Sequence, residues 1–345
     1  LGPSEFSFRL PSVIAAFLTC YFLFRTISIN MAAPWMGFIA ALLLVTSDGY
    51  LTIHAARSGN YEALLVLFMT LSVWSIYRWS NSEAPKDIFL FFVFLSLAAL
   101  TKGIQGLLFL PGVFLFVLFQ RKLIVLLRQR QTYLGFAVFL LLVVGYYLLR
   151  EQLNPGYLTA VWENELGGRY GAVNEGHQGN WDFYIRVLMD QHFANWWLLV
   201  PCGMVLGMAH RDPTVRRWSM LLTCIAATYL YVISSAQTKL EWYAVPLFPI
   251  LCGLASLAIY IPFLWMYELP KYQVRTFAAP LLFLFVIFVR PYSTVVARAY
   301  FPKDLDWEVP YNVCTNYLQD LWQGKAEVQA SVVCYDWGHD EVAFY

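Results

Sequence analysis

Four short polar segments interrupt a strongly apolar chain, and they hold most of the side chains able to do chemistry. The first, SDGYLTIHAARSGNYEALL at 47–65, carries His54, Arg57, Asn60 and Glu62. His54, Arg57 and Asn60 follow one another at intervals of three, which on a helix sets them on one face. The alternative is an interfacial loop with solvated charges, but such a loop needs neither an imidazole nor an acid at the mouth of a helix. The second segment, LTKG at 100–103, sets Lys102 between two apolar runs. Its ammonium can snorkel to headgroups or meet a phosphate as a point charge. Gly103 beside it permits a sharp turn or a close backbone approach. The third lies in the stretch 150–192 and reads WENELGGRYGAVNEGHQGNWDFYIR. Rings, acids, amides and arginine together suit a sugar surface, where aromatic faces stack on pyranose rings; an aromatic belt at the membrane interface has a similar composition. The fourth, SSAQTKLEWYAVPLFP at 234–249, places Lys239 and Tyr243 four apart at an expected helix start, where they would project together. Lys239 again suits a phosphate.

The elements that must position these groups are membrane helices. The 345 residues are 59% hydrophobic and 13% charged, about half the charged fraction of a soluble domain, roughly 25%. Mean hydropathy is +0.56. The net charge of +1 gives no reason to expect a nucleic-acid partner. A span needs roughly 20 mostly apolar residues. Ten runs qualify as candidates: 11–30, 32–47, 62–79, 87–101, 104–120, 131–149, 193–209, 217–234, 243–265 and 276–294. The second and fourth are short. The expectation is an all-α multi-pass membrane protein, with a transmembrane domain over 1–290 and a long outside loop near 150–192.

Cations in short loops set the orientation. With the N-terminus outside, the inside turns carry Arg25, then Arg78 and Lys86, then Arg121, Lys122, Arg128 and Arg130, then Arg211, Arg216 and Arg217, then Lys271 and Arg275. The outside cations are mostly single residues among aromatics and acids: Arg9, Arg57, Lys102, Arg150, Arg169, Arg186, Lys239 and Arg290. All four polar segments then face outside. The tail 291–345 contains the alternating run VQASVVCYDW and reads as the start of a small extracytoplasmic α/β domain. Cys314 and Cys334 lie in it, as a disulfide or as two thiols. Cys20, Cys202, Cys224 and Cys252 fall in apolar runs and pack as small apolar residues, and no cysteine pair has metal-ligand spacing. The chain opens at Leu1 without a signal-peptide pattern and stops in strand-like EVAFY, as a fragment would.

The expected spans hold almost no charge. A coupled transporter places ionisable groups at mid-membrane, and a channel needs a polar stripe along several helices. Neither is visible. An interfacial enzyme acting on a lipid-linked anion fits this distribution better.

Six motifs, in order over residues 4–265, sharpen that reading: Arg9-Leu10-Pro11-Ser12; Ala56-Arg57-Ser58-Gly59-Asn60-Tyr61-Glu62-Ala63; Thr101-Lys102-Gly103; Glu165 with Arg169 and Tyr170; His177 with Trp181, Phe183 and Tyr184; and Lys239-Leu240 with Tyr243. With them the sequence resembles the GT-C glycosyltransferases, in the branch of bacterial lipid A aminoarabinose transferases and protein O-mannosyltransferase-like enzymes. The resemblance implies an inverting transfer of a sugar from a polyprenyl-phosphate carrier to a glycolipid, polysaccharide or protein acceptor, at the outer face of a bacterial plasma membrane. It implies that Arg57, Lys102 and Lys239 meet the donor phosphate. His54, Asn60, Glu62, Glu165, Arg169, Tyr170, His177 and Tyr243 would line the sugar and acceptor cavity. In the family the acid acting as general base precedes the Arg-Leu-Pro-Ser element, so it is expected upstream of Leu1. Some relatives carry a histidine where this chain has Leu166, so no metal site is assigned and no cofactor is expected. The rival readings are a protein Ser/Thr glycosyltransferase of the same fold, a flippase for lipid-linked sugar, and a non-catalytic scaffold.

Overall fold

Lipid offers a peptide group no hydrogen-bond partner, so long apolar runs fold as helices that satisfy their own backbone. The computed structural model describes residues 5–52, 55–171, 173, 176–268 and 278–300, with 317, 320, 321 and 323–325; the side chains of Glu5, Leu166, Arg169 and Glu268 lie outside that set. The first half contains α1 (Glu5–Asn30), α2 (Pro34–Val45), α3 (Asp48–Thr52), α4 (Glu62–Ser82), α5 (Pro85–Lys102), a 3₁₀ turn (Gly103–Leu107), α6 (Leu110–Phe119), α7 (Leu123–Arg128), α8 (Arg130–Phe139), a π-helical turn (Leu140–Val144) and α9 (Gly145–Leu153). Then come α10 (Tyr157–Val161), a π turn (Trp162–Leu166), α11 (Gly167–Gly171), α12 (Phe183–Val187), a π turn (Leu188–His192), α13 (Leu199–Met208), α14 (Pro213–Ser235), a 3₁₀ turn (Glu241–Leu247), α15 (Phe248–Glu268) and α16 (Ala278–Tyr300). Proline opens α2, α5 and α14, where its missing N–H costs nothing. The described residues contain no strand; one antiparallel bridge joins Gln178 to Thr238.

Each of the ten expected spans contains an apolar helix, and the chain is a multi-pass membrane protein. Seven helices are long and apolar enough to cross a membrane; the shorter apolar ones are Pro34–Val45, Leu110–Phe119 and Leu199–Met208. The second span is short, as expected. The fourth is not, because its helix runs through Lys102 into the 3₁₀ turn and covers Pro85–Leu107. That extension shortens the fifth. The seventh is short because 193–198 form turns before α13 begins.

Two sequence expectations about the polar segments need correction. In the first segment the helix is limited to Asp48–Thr52, and 55–60 form a series of bends, so Arg57 and Asn60 do not share a helical face. His54 lies outside the described residues. The long loop 150–192 is largely helical, folded as short α and π turns. The expected strand in the tail and the Cys314–Cys334 pair lie outside the described residues.

The chain divides into two units, Leu1–Tyr292 and Ser293–Tyr345, and the bundle belongs to the first. Its centre is the span of α4, 78% buried, and that of Glu241–Tyr267, 72% buried; Arg130–Leu153 at 17% and Ala278–Tyr300 at 22% turn most of their surface outward, toward lipid. Lipid tails are as apolar as leucine, so helices here must associate by close packing. Small residues provide it: a Cβ on Gly203 of α13 would stand 1.9 Å from the Leu254 carbonyl oxygen of α15. Tyr77 and Trp218 pack edge to face at 4.9 Å between α4 and α14, and the Tyr77 hydroxyl donates to the Thr214 carbonyl at 2.9 Å.

Candidate active site

The helix ends at one end of the bundle gather the polar segments. Glu62 begins α4 and Lys102 ends α5, so the antiparallel α4–α5 hairpin brings together two residues 40 apart in sequence. Lys102 Nζ donates to Glu62 Oε1 at 2.7 Å, with side-chain exposures of only 14% and 3%. The ammonium also lies 5.4 Å from the ring centres of both Tyr61 and Tyr243. A cation between two aromatic faces is held by the rings' quadrupoles and shielded from water on those sides. The second carboxylate oxygen, Glu62 Oε2, is buried with no hydrogen-bond partner among the described residues. A buried acceptor left open is costly, and it marks a place where a hydroxyl could donate.

Below this pair, Gln105 Nε2 donates to the Tyr229 hydroxyl at 3.2 Å, and that hydroxyl donates to the Tyr243 carbonyl at 2.8 Å. On the other side stands Glu165. Gly103 has φ +50°, and a Cβ there would lie 2.2 Å from Glu165 Oε2. The missing side chain is what lets the Glu165 carboxylate approach the backbone next to Lys102. The element Arg-Leu-Pro-Ser also joins the site's wall: Ser12 Oγ donates to the Asn60 carbonyl at 2.8 Å. Arg57 is half-buried in the bend that follows, tied through the Ala56 N–H to the Tyr50 carbonyl at 3.2 Å.

Lys239 behaves differently from the expectation. Helix α14 ends at Ser235 and the chain continues extended to Leu240, so Lys239 and Tyr243 do not project together from one helix. The buried Lys239 ammonium turns back to the carbonyls of Ile233, Ser234 and Ala236, which α14 leaves unpaired at its C-terminus. Burial pulls its pKa below the usual lysine value. Its ring neighbour is Tyr184, at 5.8 Å. This lysine caps a helix.

The extended stretch pairs with the long loop. The Gln237 N–H donates to the Tyr170 carbonyl at 3.0 Å and the Lys239 N–H to the His177 carbonyl at 2.9 Å. Tyr170 Oη and Ser235 Oγ lie 2.7 Å apart. Tyr170 and His177 are both exposed, as is Trp181, whose ring meets Tyr231 at 5.5 Å edge to face. The backbone of Arg169 lies on α11, while its side chain is outside the described set.

Sequence reasoning gave no role to four contributors. Tyr61 stood inside the second motif without one, and Tyr229 lies in the apolar run of a span, where nothing in spacing marks it. His192 and Glu241, 49 residues apart, form a pair at 3.1 Å between Nε2 and Oε2. The available signal was a histidine and an acid at the two edges of outside segments, next to aromatics. Among the described residues no group of three or more His, Cys, Asp or Glu is placed to hold a metal.

This geometry has relatives among solved structures. The crystal structure of ArnT from Cupriavidus metallidurans bound to undecaprenyl phosphate matches with a TM-score of 0.68 and 17% identity, over 89% of this chain and 53% of that one. The apo state of the same protein matches with a TM-score of 0.63 and 16% identity, over 86% and 51%. The chain therefore spans about half the length of these proteins. A family model described as dolichyl-phosphate-mannose-protein mannosyltransferase matches residues 1–147. No curated protein matches the chain in sequence. At these identities the likeness shows the fold, which is the GT-C helical bundle that the six motifs implied.

Proposed function

We propose that the chain is the membrane-embedded part of a glycosyltransferase that takes a sugar from a polyprenyl-phosphate carrier, with its site open to the extracytoplasmic face. The observation that carries this reading is the Lys102–Glu62 ion pair, buried between Tyr61 and Tyr243 where the helix ends converge. The ArnT likeness supports it, since that fold is seen with undecaprenyl phosphate bound, and so does the lipid-phosphate sugar in the description of the matching family.

In this reading the acceptor hydroxyl oxygen attacks the anomeric carbon as the bond from that carbon to the phosphate oxygen breaks, inverting the centre. Polyprenyl phosphate departs with the bonding electrons, and the hydroxyl proton passes to a carboxylate acting as general base. Lys102, with Arg57 in the same assigned role, stabilises the negative charge that develops on the leaving phosphate. Glu62 orients the ammonium through Oε1 and offers Oε2 to a hydroxyl of the substrate. Glu165, Tyr170, His177, Tyr243 and Asn60 border the space for sugar and acceptor in this reading, and the motif resemblance assigns His54 and Arg169 the same role. Lys239 supports them by closing α14. The matching family's description favours one refinement, in which the acceptor is a protein Ser or Thr hydroxyl.

The test measures transfer from radiolabelled polyprenyl-phosphate sugars by the full-length protein in membranes, offered protein and glycolipid acceptors separately. Removing Lys102 alone strands a buried carboxylate, which costs about 3–5 kcal/mol. Lys102→Ala is therefore paired with Lys102→Ala/Glu62→Gln, which removes both charges. Loss of one preorganised stabilising group predicts a fall in kcat of roughly 10²–10³-fold in the double variant, with folding retained. Undiminished transfer there would remove Lys102 from the chemistry.

A further inference from the structure

We infer that His192 is a positioning residue: it grips Glu241 and thereby sets the 3₁₀ turn that holds the Tyr243 ring over Lys102. The inference rests on the reading of Lys102 as the phosphate-facing cation.

The pair looks built. His192 ends the π turn Leu188–His192 and is 7% exposed. Its side chain approaches α3 closely because residue 49 is glycine; a Cβ there would lie 2.5 Å from the His192 Cβ. Any larger residue at 49 would push the imidazole outward. The partner Glu241 is the first residue of the turn Glu241–Leu247. Burying an imidazole against a carboxylate costs desolvation that an apolar pair would avoid, so such a pair is weak evidence for stability. What it adds is direction, because a hydrogen bond fixes the approach of two groups as apolar packing does not.

The turn needs that direction. A 3₁₀ turn has poorer hydrogen-bond geometry than an α-helix, so outside ties set its place. Three are visible. The Leu240 N–H donates to the Tyr184 hydroxyl at 3.2 Å, and the Tyr229 hydroxyl donates to the Tyr243 carbonyl at 2.8 Å. These two hold main chain. The third, His192 to Glu241 at 3.1 Å, holds a side chain and anchors the turn to the loop that precedes α13. Tyr243 lies two residues on, with its ring 5.4 Å from the Lys102 ammonium. A shift of the turn would move that ring and open the Lys102 ammonium on the side away from the Tyr61 ring.

The experiment is a double-mutant cycle in the full-length protein, read as steady-state kinetics with polyprenyl-phosphate sugar and as binding of polyprenyl phosphate, with a melting temperature for every variant. His192→Ala should lower kcat and kcat/KM together by about tenfold with KM little changed, since the interaction lost matters most in the transition state. His192→Gln, whose amide can still donate to Glu241, should recover most of that loss, and it serves if the alanine variant folds poorly. In a Tyr243→Leu background, His192→Ala should cost less than about twofold, because its route to Lys102 is already gone. Equal losses in both backgrounds, or a well-folded His192→Gln no better than alanine, would overturn the inference. The parent reading fails separately, if the Lys102→Ala/Glu62→Gln protein transfers sugar normally while the 192–243 coupling persists.

Discussion

Gly103 carries a conformational demand that no other residue type meets there. Its φ of +50° with ψ of −132° is a region open essentially to glycine. A side chain would also run into the Glu165 carboxylate. Gly103→Ala should therefore destabilise by about 1–3 kcal/mol from the backbone alone, and it should displace Glu165 from the Lys102 neighbourhood. Gly103→Ala/Glu165→Ala relieves the collision and keeps the strain, so its melting temperature should recover only part of the loss. A Gly103→Ala protein as stable and active as the parent would contradict the backbone described here. Much at this scale was readable in the sequence, and some was not. Lys102, Glu62 and Glu165 stand out by charge in an apolar chain. Their mutual placement does not, because it depends on the hairpin that returns α5 to the start of α4. Lys239 was equally conspicuous, yet the direction of its side chain depends on where α14 stops, which spacing alone did not reveal.

Helix α14 connects the two ends of the bundle and is closed by a charge at each. At its N-terminus Asp212 Oδ1 accepts from the Thr214 N–H at 2.8 Å and from the Thr214 hydroxyl at 2.7 Å, with Pro213 following as the first helical residue. These bonds hold the Asp212 carboxyl below its ordinary pKa. A carboxyl with a depressed folded pKa contributes stability above its unfolded pKa and loses it as pH falls through the folded value. Asp212→Ala should thus cost about 1 kcal/mol at pH 7, and thermal unfolding in detergent should show the penalty shrinking below about pH 4, where aspartate protonates. A penalty as large at pH 3 as at pH 7 would mean that the charge contributes nothing to the cap. At the C-terminus Lys239 does the reciprocal work on free carbonyls, where a cation also favours the helix dipole. Elements were the most legible level of this protein, since apolar length alone marks a span. The misreadings fall where glycine or a run of turns changes helix type, at 103–107 and 193–198, and hydropathy does not register that change.

Across the first unit the polar groups divide between two ends with different characters. One end is the site, where cations sit singly among rings and acids. The other is a set of basic turns closed by side-chain ties: Arg78 to buried Asp87 at 3.4 Å, Lys122 to Glu83 at 2.6 Å, Trp79 to Gln129 at 2.8 Å and Arg217 to Asn81 at 2.8 Å. Arg121, Arg128, Arg130, Arg211 and Arg216 are exposed there. Short loops rich in Lys and Arg stay on the cytoplasmic side, so the proposed orientation sets the basic turns in the cytoplasm and the Lys102 site at the exterior. That orientation can be read without any substrate. In a background with the six native cysteines replaced, Asn164→Cys and Ser82→Cys place one exposed thiol near each end. A membrane-impermeant maleimide should label Asn164→Cys in intact cells and Ser82→Cys only after permeabilisation. The reverse pattern would put the site in the cytoplasm, where an extracytoplasmic lipid-linked donor could not reach it, and the proposed function would fall with the orientation. Labelling of both in intact cells would instead contradict the separation of the two ends by a membrane.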